Sequence, residues 1–168
     1  MRLALAQIDP VVGDLEGNRE LILARIHDAR SAGADLVVFP ELAVTGYPPE
    51  DLLLRPAFVR AARAAVERIA TETRGIVALI GVPLFDGDLY NACAICVDGE
   101  VTAYAKKWHL PNYGVFDEKR YFVSGTEITL VDVAGTKVGV TICEDMWIAG
   151  PPTTCHRALP PTLRSTRS

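Results

Sequence analysis

Between residues 35 and 39 the chain reads Asp35-Leu36-Val37-Val38-Phe39, an almost continuous apolar run ended by Pro40. A strand that alternates can leave one face in water, but a run like this has to be covered on both faces. Proline, which has no N–H to donate, stops the ladder. The chain must therefore build layers above and below this segment. The flanking sequence supplies candidates for them. Arg2–Ile8 reads as a first core strand. From Asn18 the period lengthens, with Ile22, Ile26 and Ala29 at i, i+4 and i+7, which predicts an amphipathic helix over 19–32. Asn18 is the expected N-cap and Gly33 the stop. A second helix is expected over 57–73, with Phe58, Ala62, Ala65 and Ile69 on its inner face, followed by a buried strand at Ile76–Val82.

Beyond that point the punctuation changes. Asp86-Gly87 and Asp98-Gly99 frame Leu89–Val97 and predict a meander continuing through Val101–Ala105. A further hairpin pairs 127–133 with 137–142 around Ala134-Gly135-Thr136 and delivers Cys143 at its end. Strand, helix, strand, helix, strand and then a meander make an α/β fold with helices on at least one face of the sheet. The last residues differ in character: 151–168 hold four Pro and four Thr without any period. Such a composition predicts disorder.

Bulk properties exclude several classes of function. Apolar residues make up 49 % and charged residues 23 %, ordinary values for a globular domain. No apolar run approaches the ~20 residues of a membrane helix, and Met1–Asp9 turns polar too early for an export signal, so a cytoplasmic location is expected. Residues 1–150 carry 14 basic and 21 acidic side chains, and three arginines in the last 18 bring the formal charge to −4. An acidic body argues against nucleic acid as a partner. Of the four cysteines, Cys93 and Cys96 form a CxxC inside a strand, where positions three apart face opposite ways and cannot grip one metal.

Three strand ends carry reactive groups: Phe39-Pro40-Glu41, then Lys107-Trp108-His109, then Cys143-Glu144-Asp145. A free thiol with a pKa near ~8.5 is mostly protonated at neutral pH and needs a base or a positive field beside it. Glu41 is a candidate base, and Lys107 a candidate both for favouring the thiolate and for steadying an oxyanion. Read singly, each has an ordinary alternative: a loop acid, a solvated lysine and a core cysteine. The histidines offer no substitute. His27 lies on a helix surface, His156 in the tail, and His109 shares the strand face of Lys107 and suits a structural hydrogen bond.

The words around these residues are more specific than their positions. Phe39-Pro40-Glu41-Leu42-Ala43-Val44-Thr45-Gly46-Tyr47-Pro48-Pro49-Glu50-Asp51-Leu52 resembles the glutamate motif of the nitrilase, or carbon–nitrogen hydrolase, superfamily. Lys107 to Phe122 resembles its lysine motif, and Ile142-Cys143-Glu144-Asp145-Met146-Trp147 its nucleophile motif. Within the superfamily the Gly-Tyr-Pro-Pro-Glu-Asp-Leu and Leu-Pro-Asn-Tyr-Gly-Val-Phe-Asp-Glu words resemble the glutaminase domains of glutamine-dependent NAD⁺ synthetases. The resemblance implies Glu41 as general base, Lys107 as oxyanion stabiliser and Cys143 as nucleophile. It also implies Tyr113 as a glutamine-binding residue and Glu118 as an accessory carboxylate, with a plain salt bridge as the other role open to Glu118. Met146 and Trp147 are expected to pack near the pocket. The implied reaction needs no metal and no cofactor. ATP and nicotinic acid adenine dinucleotide would belong to a synthetase domain, whose Ser-Gly-Gly-x-Asp-Ser loop does not occur in this sequence.

The resemblance also implies a fold: the N-terminal part of a nitrilase-like α-β-β-α sandwich, formed by residues 1–152, with 153–168 as a disordered tail. The abrupt change of composition near residue 153 suggests a tail translated out of frame, and hence weak or absent turnover. Glutamine is the expected substrate. A homo-oligomer, or association with a synthetase domain, is the expected assembly. Two other readings stand beside glutaminase: an amidase or carbamoylase of the same superfamily, and an inactive fragment that pairs with a full-length relative.

Overall fold

The computed structural model describes residues 1–150 in full and, beyond them, the backbone of 162–166. The first sheet has five strands in the order β1 (Leu3–Leu5), β2 (Leu36–Val38), β3 (Val77–Asp86), β4 (Asp88–Val97) and β5 (Glu100–Lys106). β1, β2 and β3 run parallel, and β3, β4 and β5 form the expected antiparallel meander. The parallel connections are the helices α1 (Leu15–Ser31) and α2 (Pro56–Ala70). The hairpin β6 (Glu127–Val133) and β7 (Thr136–Val140) belongs to a second sheet.

Alternation along the strands sorts the core into two layers. Val37, Ala78, Ile80, Ala94 and Cys96 face the helices and pack with Ile22, Ile26, Ala62, Val66 and Ile69. Leu36, Leu79, Cys93 and Ile95 face the other way and meet Val131, Val133 and Ile142 from the second sheet. Each fully buried aliphatic side chain contributes about 1.5–3 kcal/mol, so both interfaces hold substantial stabilisation. The described residues thus form three layers, helix, sheet and sheet, in the order expected for the first part of an α-β-β-α sandwich. The two CxxC thiols lie in different layers, as their spacing requires, and burial pushes each up to about 12.

Two helix details differ from the expectation. α1 begins four residues earlier than predicted, and its N-cap is Asp14, whose carboxylate accepts the Gly17 N–H at 2.9 Å. Asn18 lies one turn inside the helix because its side chain has tertiary work. It accepts the Val11 N–H at 2.8 Å and donates to the carbonyls of Val11 and Val44, at 2.8 and 3.2 Å. In α2 the inner face is Val59, Ala62, Ala65, Val66, Ile69 and Ala70, with Phe58 only half-buried. Most of the expected disordered segment, 153–168, lies outside the described residues. Within it, Thr162–Thr166 forms β8, a strand parallel to β6.

Asn18 ties the loop before α1 to the loop after β2 while itself fully buried. Asn18→Ala leaves the buried Val44 carbonyl and the part-buried Val11 N–H without these partners, which should lower stability by about 1–3 kcal/mol, read from urea denaturation with an unchanged m-value.

Candidate active site

Glu41, Lys107 and Glu118 converge at one end of the first sheet, although 66 and 11 residues separate the two carboxylates from the lysine. Glu41 follows β2 on a tight turn that crosses directly over Gly81 of β3. A Cβ there would come within 2.2 Å of the Leu42 nitrogen and 2.5 Å of the Pro40 carbonyl, so only glycine lets the turn lie this close. Lys107 extends β5, its N–H donating to the Asn91 carbonyl at 2.8 Å. Its carbonyl accepts the Gly125 N–H at 2.7 Å. Glu118 opens a short 3-10 turn, Glu118–Arg120, whose first N–H donates to Pro111.

The Lys107 side chain is completely buried, and its Nζ donates to Glu41 Oε1 at 2.6 Å and to both oxygens of Glu118 at 2.8 and 3.0 Å. Burial works against the ammonium, but the two carboxylates outweigh it and hold Lys107 above its usual range. Glu118 is buried too. Desolvation pushes its carboxyl above the usual range, against the pull of Lys107. Tyr47 donates its phenol to Glu118 at 3.0 Å, and burial followed by that carboxylate pushes the phenol well above its ordinary value. Of the two roles left open by its sequence, the salt bridge is the one seen here: Glu118 pairs with Lys107 within the same hydrogen-bonded cluster as Glu41.

Cys143 follows the second-sheet hairpin and starts a 3-10 turn, Cys143–Met146, with φ at +50°. Its left-handed backbone lifts the thiol to the mouth of a cavity of about 310 Å³ between the sheets, which Glu41 also lines. Asp145 fixes this turn against the lysine strand. Its Oδ1 accepts the N–H groups of Trp108 and His109 at 3.0 and 2.8 Å, and its Oδ2 accepts that of Ile142 at 3.0 Å. One carboxylate thus sets the spacing of Lys107 and Cys143. Partial enclosure, and then the Glu41 charge, push the Cys143 thiol up, while Lys107 and the Glu144 backbone N–H pull it down by less. The lysine field therefore does not leave Cys143 as a standing thiolate. The thiol keeps its proton until a base removes it.

The remaining candidates divide. Tyr113 is exposed, and its phenol donates to Glu144 Oε1 at 3.0 Å, beside the nucleophile turn. His109 is structural as expected, its backbone on Asp145 and its Nε2 2.9 Å from the Gly150 carbonyl. Met146 and Trp147 do not pack near the pocket but project into solvent, since Glu144 and Asp145 take the inward positions of their turn. Sequence reasoning gave no role to Tyr47, Asn91 or Asp145. Asn91 donates its Nδ2 to Glu41 Oε1 at 2.6 Å and to Glu118 Oε2 at 3.3 Å. Its signal in the sequence was an amide side chain directly before the apolar run 92–97.

A family model described as Carbon-nitrogen hydrolase matches residues 2–156. The chain belongs to the carbon–nitrogen hydrolase family. Among curated relatives, this hydrolase is 48 % identical over 149 residues to a glutamine-dependent NAD(+) synthetase of Thermotoga maritima. That match covers 88 % of the chain but 26 % of the relative. A solved glutamine-dependent NAD⁺ synthetase from Acinetobacter baumannii superposes with a TM-score of 0.79 at 41 % identity, over 86 % of this chain and 28 % of that one. A variant amidase from Nesterenkonia sp., with the acetamide moiety of fluoroacetamide added covalently at its active-site cysteine, matches with a TM-score of 0.73 at 28 % identity. There the cover is 86 % of this chain and 56 % of the amidase. The hydrolase thus spans about a quarter of the length of the synthetases it matches.

The upward shift of the Cys143 thiol is open to direct titration. Thiolate absorbance, with Cys143→Ala subtracted, should give a midpoint above the ~8.5 of free cysteine, and Glu41→Gln should lower it. A midpoint below that value in the unsubstituted chain would mean that Lys107 outweighs burial and Glu41 together.

Proposed function

We propose that this carbon–nitrogen hydrolase carries out the glutaminase half-reaction of a glutamine-dependent NAD⁺ synthetase. Glu41 takes the Sγ proton as Cys143 attacks the side-chain amide carbon of glutamine, forming the S–C bond and moving the carbonyl π-pair to oxygen. The field of Lys107 and the Glu144 N–H beside the sulfur favour that oxyanion. The Lys107 protons are held by Glu41 and Glu118, so its contribution is chiefly a fixed positive charge. As the oxyanion collapses, Glu41 returns its proton to the nitrogen, the C–N bond breaks, and ammonia leaves a γ-glutamyl thioester. Glu41 then deprotonates water for attack on the thioester, and glutamate departs as the thiol recovers its proton.

The observation that carries this reading is the wholly buried Lys107 ammonium held between Glu41 and Glu118, with Glu41 lining the same cavity as Cys143. The glutamine dependence of the synthetases at 48 % and 41 % identity supports glutamine as the substrate. Tyr113, placed on Glu144, is the proposed contact for the glutamine backbone end. The glutaminase step uses no metal or cofactor. The ammonia would serve a synthetase domain, outside this sequence, that uses ATP and nicotinic acid adenine dinucleotide, in the same assembly or in a homo-oligomer of it. No described helix is long and apolar enough to cross a membrane, which accords with work in the cytoplasm. The amidase likeness supports a second reading, hydrolysis of short aliphatic amides.

Release of glutamate and ammonia from glutamine by the 168-residue chain separates these readings. Release should vanish in Cys143→Ala and fall about 10²–10⁴-fold in Glu41→Gln. Hydrolysis of acetamide with glutamine untouched would favour the amidase, and a folded chain inert to both would overturn the proposal.

A further inference from the structure

Asn91 lies on β4 at 1 % exposure, and its side-chain carbonyl, Oδ1, is a buried polar atom with no hydrogen-bond partner among the described residues. Such orphans are uncommon and need a physical reason. Here the reason lies at the other end of the amide. Nδ2 donates at once to Glu41 Oε1 and Glu118 Oε2, and this orientation leaves Oδ1 without a donor. The two carboxylates share one ammonium, so the cluster carries an excess negative charge that Lys107 alone does not neutralise. The positive end of the Asn91 amide dipole sits between them and reduces their repulsion.

We propose that Asn91 is a positioning residue, whose amide clamps Glu41 and Glu118 at a fixed separation and so holds the Glu41 carboxylate oriented for proton transfer from Cys143. Lys107 and Asn91 reach the same oxygen of Glu41, at 2.6 Å each. Two donors from different strands converging on Oε1 fix the rotation of the carboxylate and leave Oε2 for the proton. Lys107 alone leaves that rotation open. The Asn91 backbone has a separate task, since its carbonyl accepts the Lys107 N–H at 2.8 Å. Side-chain substitution leaves that bond in place, so the loss of the clamp can be separated from the loss of the strand end.

This inference rests on the reading of Glu41 and Cys143 as base and nucleophile, and its test does not need glutamine turnover. Acrylamide adds to a thiol by forming one S–C bond while the thiol proton ends on the adjacent carbon. The adduct at the Cys143 peptide is read by mass spectrometry over a pH series, with Cys143→Ala as background. Asn91→Ala should slow addition at neutral pH by about 10- to 100-fold and move the acid limb of the profile to higher pH, because the base has lost a donor that favours its charged form. Asn91→Asp keeps the side-chain volume and decides the matter if the alanine variant unfolds. It should be equally slow at neutral pH, where a third carboxylate faces Glu41 and Glu118. It should then recover relative to the unsubstituted chain as the pH falls and the new carboxyl becomes a donor. A folded Asn91 variant with the rate and profile of the unsubstituted chain would overturn the clamp. A folded unsubstituted chain whose acid limb persists in Glu41→Gln would overturn the base assignment, and the clamp with it.

Discussion

A lysine ammonium with no exposure to solvent is the contact on which the rest of this molecule turns. Removing a charge from water costs several kcal/mol after relaxation, and Lys107 recovers it only through Glu41 and Glu118. Those two carboxylates are themselves penalised by burial and tolerable only beside the lysine. The three groups therefore stand or fall together. Truncating one strands the charges of the others, which puts the loss in the range of about 3–5 kcal/mol. A cluster that is so expensive to desolvate and to disrupt is weak evidence for a purely structural role, since a well-packed apolar patch would serve stability equally well. Its value lies in holding one positive charge at a fixed place beside a thiol.

The fold delivers that charge by ending its strands at one edge. β2 runs into the Glu41 turn, β5 into Lys107, and the second-sheet hairpin into Cys143. Strand ends are suited to this work because the ladder fixes the last residue while the next side chain escapes the sheet. Two close approaches then set the positions. Gly81 admits the Glu41 turn onto β3, and Asp145 gathers three backbone N–H groups from the lysine strand and the nucleophile turn. Neither touches the reacting atoms, yet a displacement of about 1 Å at either is enough to cost reactivity.

Periodicity made most of the scaffold legible. The apolar run at Leu36–Val38, the turn signals at Asp86-Gly87 and Asp98-Gly99, and the hairpin around Gly135 all lie close to where the structure has them. The polar residues that were misread or missed share one cause. Asn18 has the side chain of an N-cap, yet it works across 26 residues on Val44, and the cap falls to Asp14. Asn91 and Asp145 act across 50 and 37 residues. Local pattern carries local hydrogen bonds, while a polar contact between distant strands depends on register that no single segment contains. Strand-end position alone marked Glu41, Lys107 and Cys143 as candidates, and the resemblance of their flanking words to a known family gave each its expected role. Met146 and Trp147, expected to pack near the pocket, instead lie exposed on the turn.

The electrostatics also select among mechanisms of thiol activation. Many reactive cysteines are held as thiolates by a neighbouring cation or helix terminus. In this chain Lys107 supplies the cation, but its charge is shared by two carboxylates, and the sum of burial and Glu41 keeps Cys143 protonated. The consequence is a division of labour. In the proposed mechanism proton removal accompanies attack, and the group that removes the proton later gives it to the departing nitrogen. A single carboxylate beside the thiol meets both needs, since the proton it takes from sulfur stays within reach of the departing amine. In the proposed clamp Lys107 and Asn91 both donate to Glu41 Oε1, which would keep the proton carrier in place through both transfers.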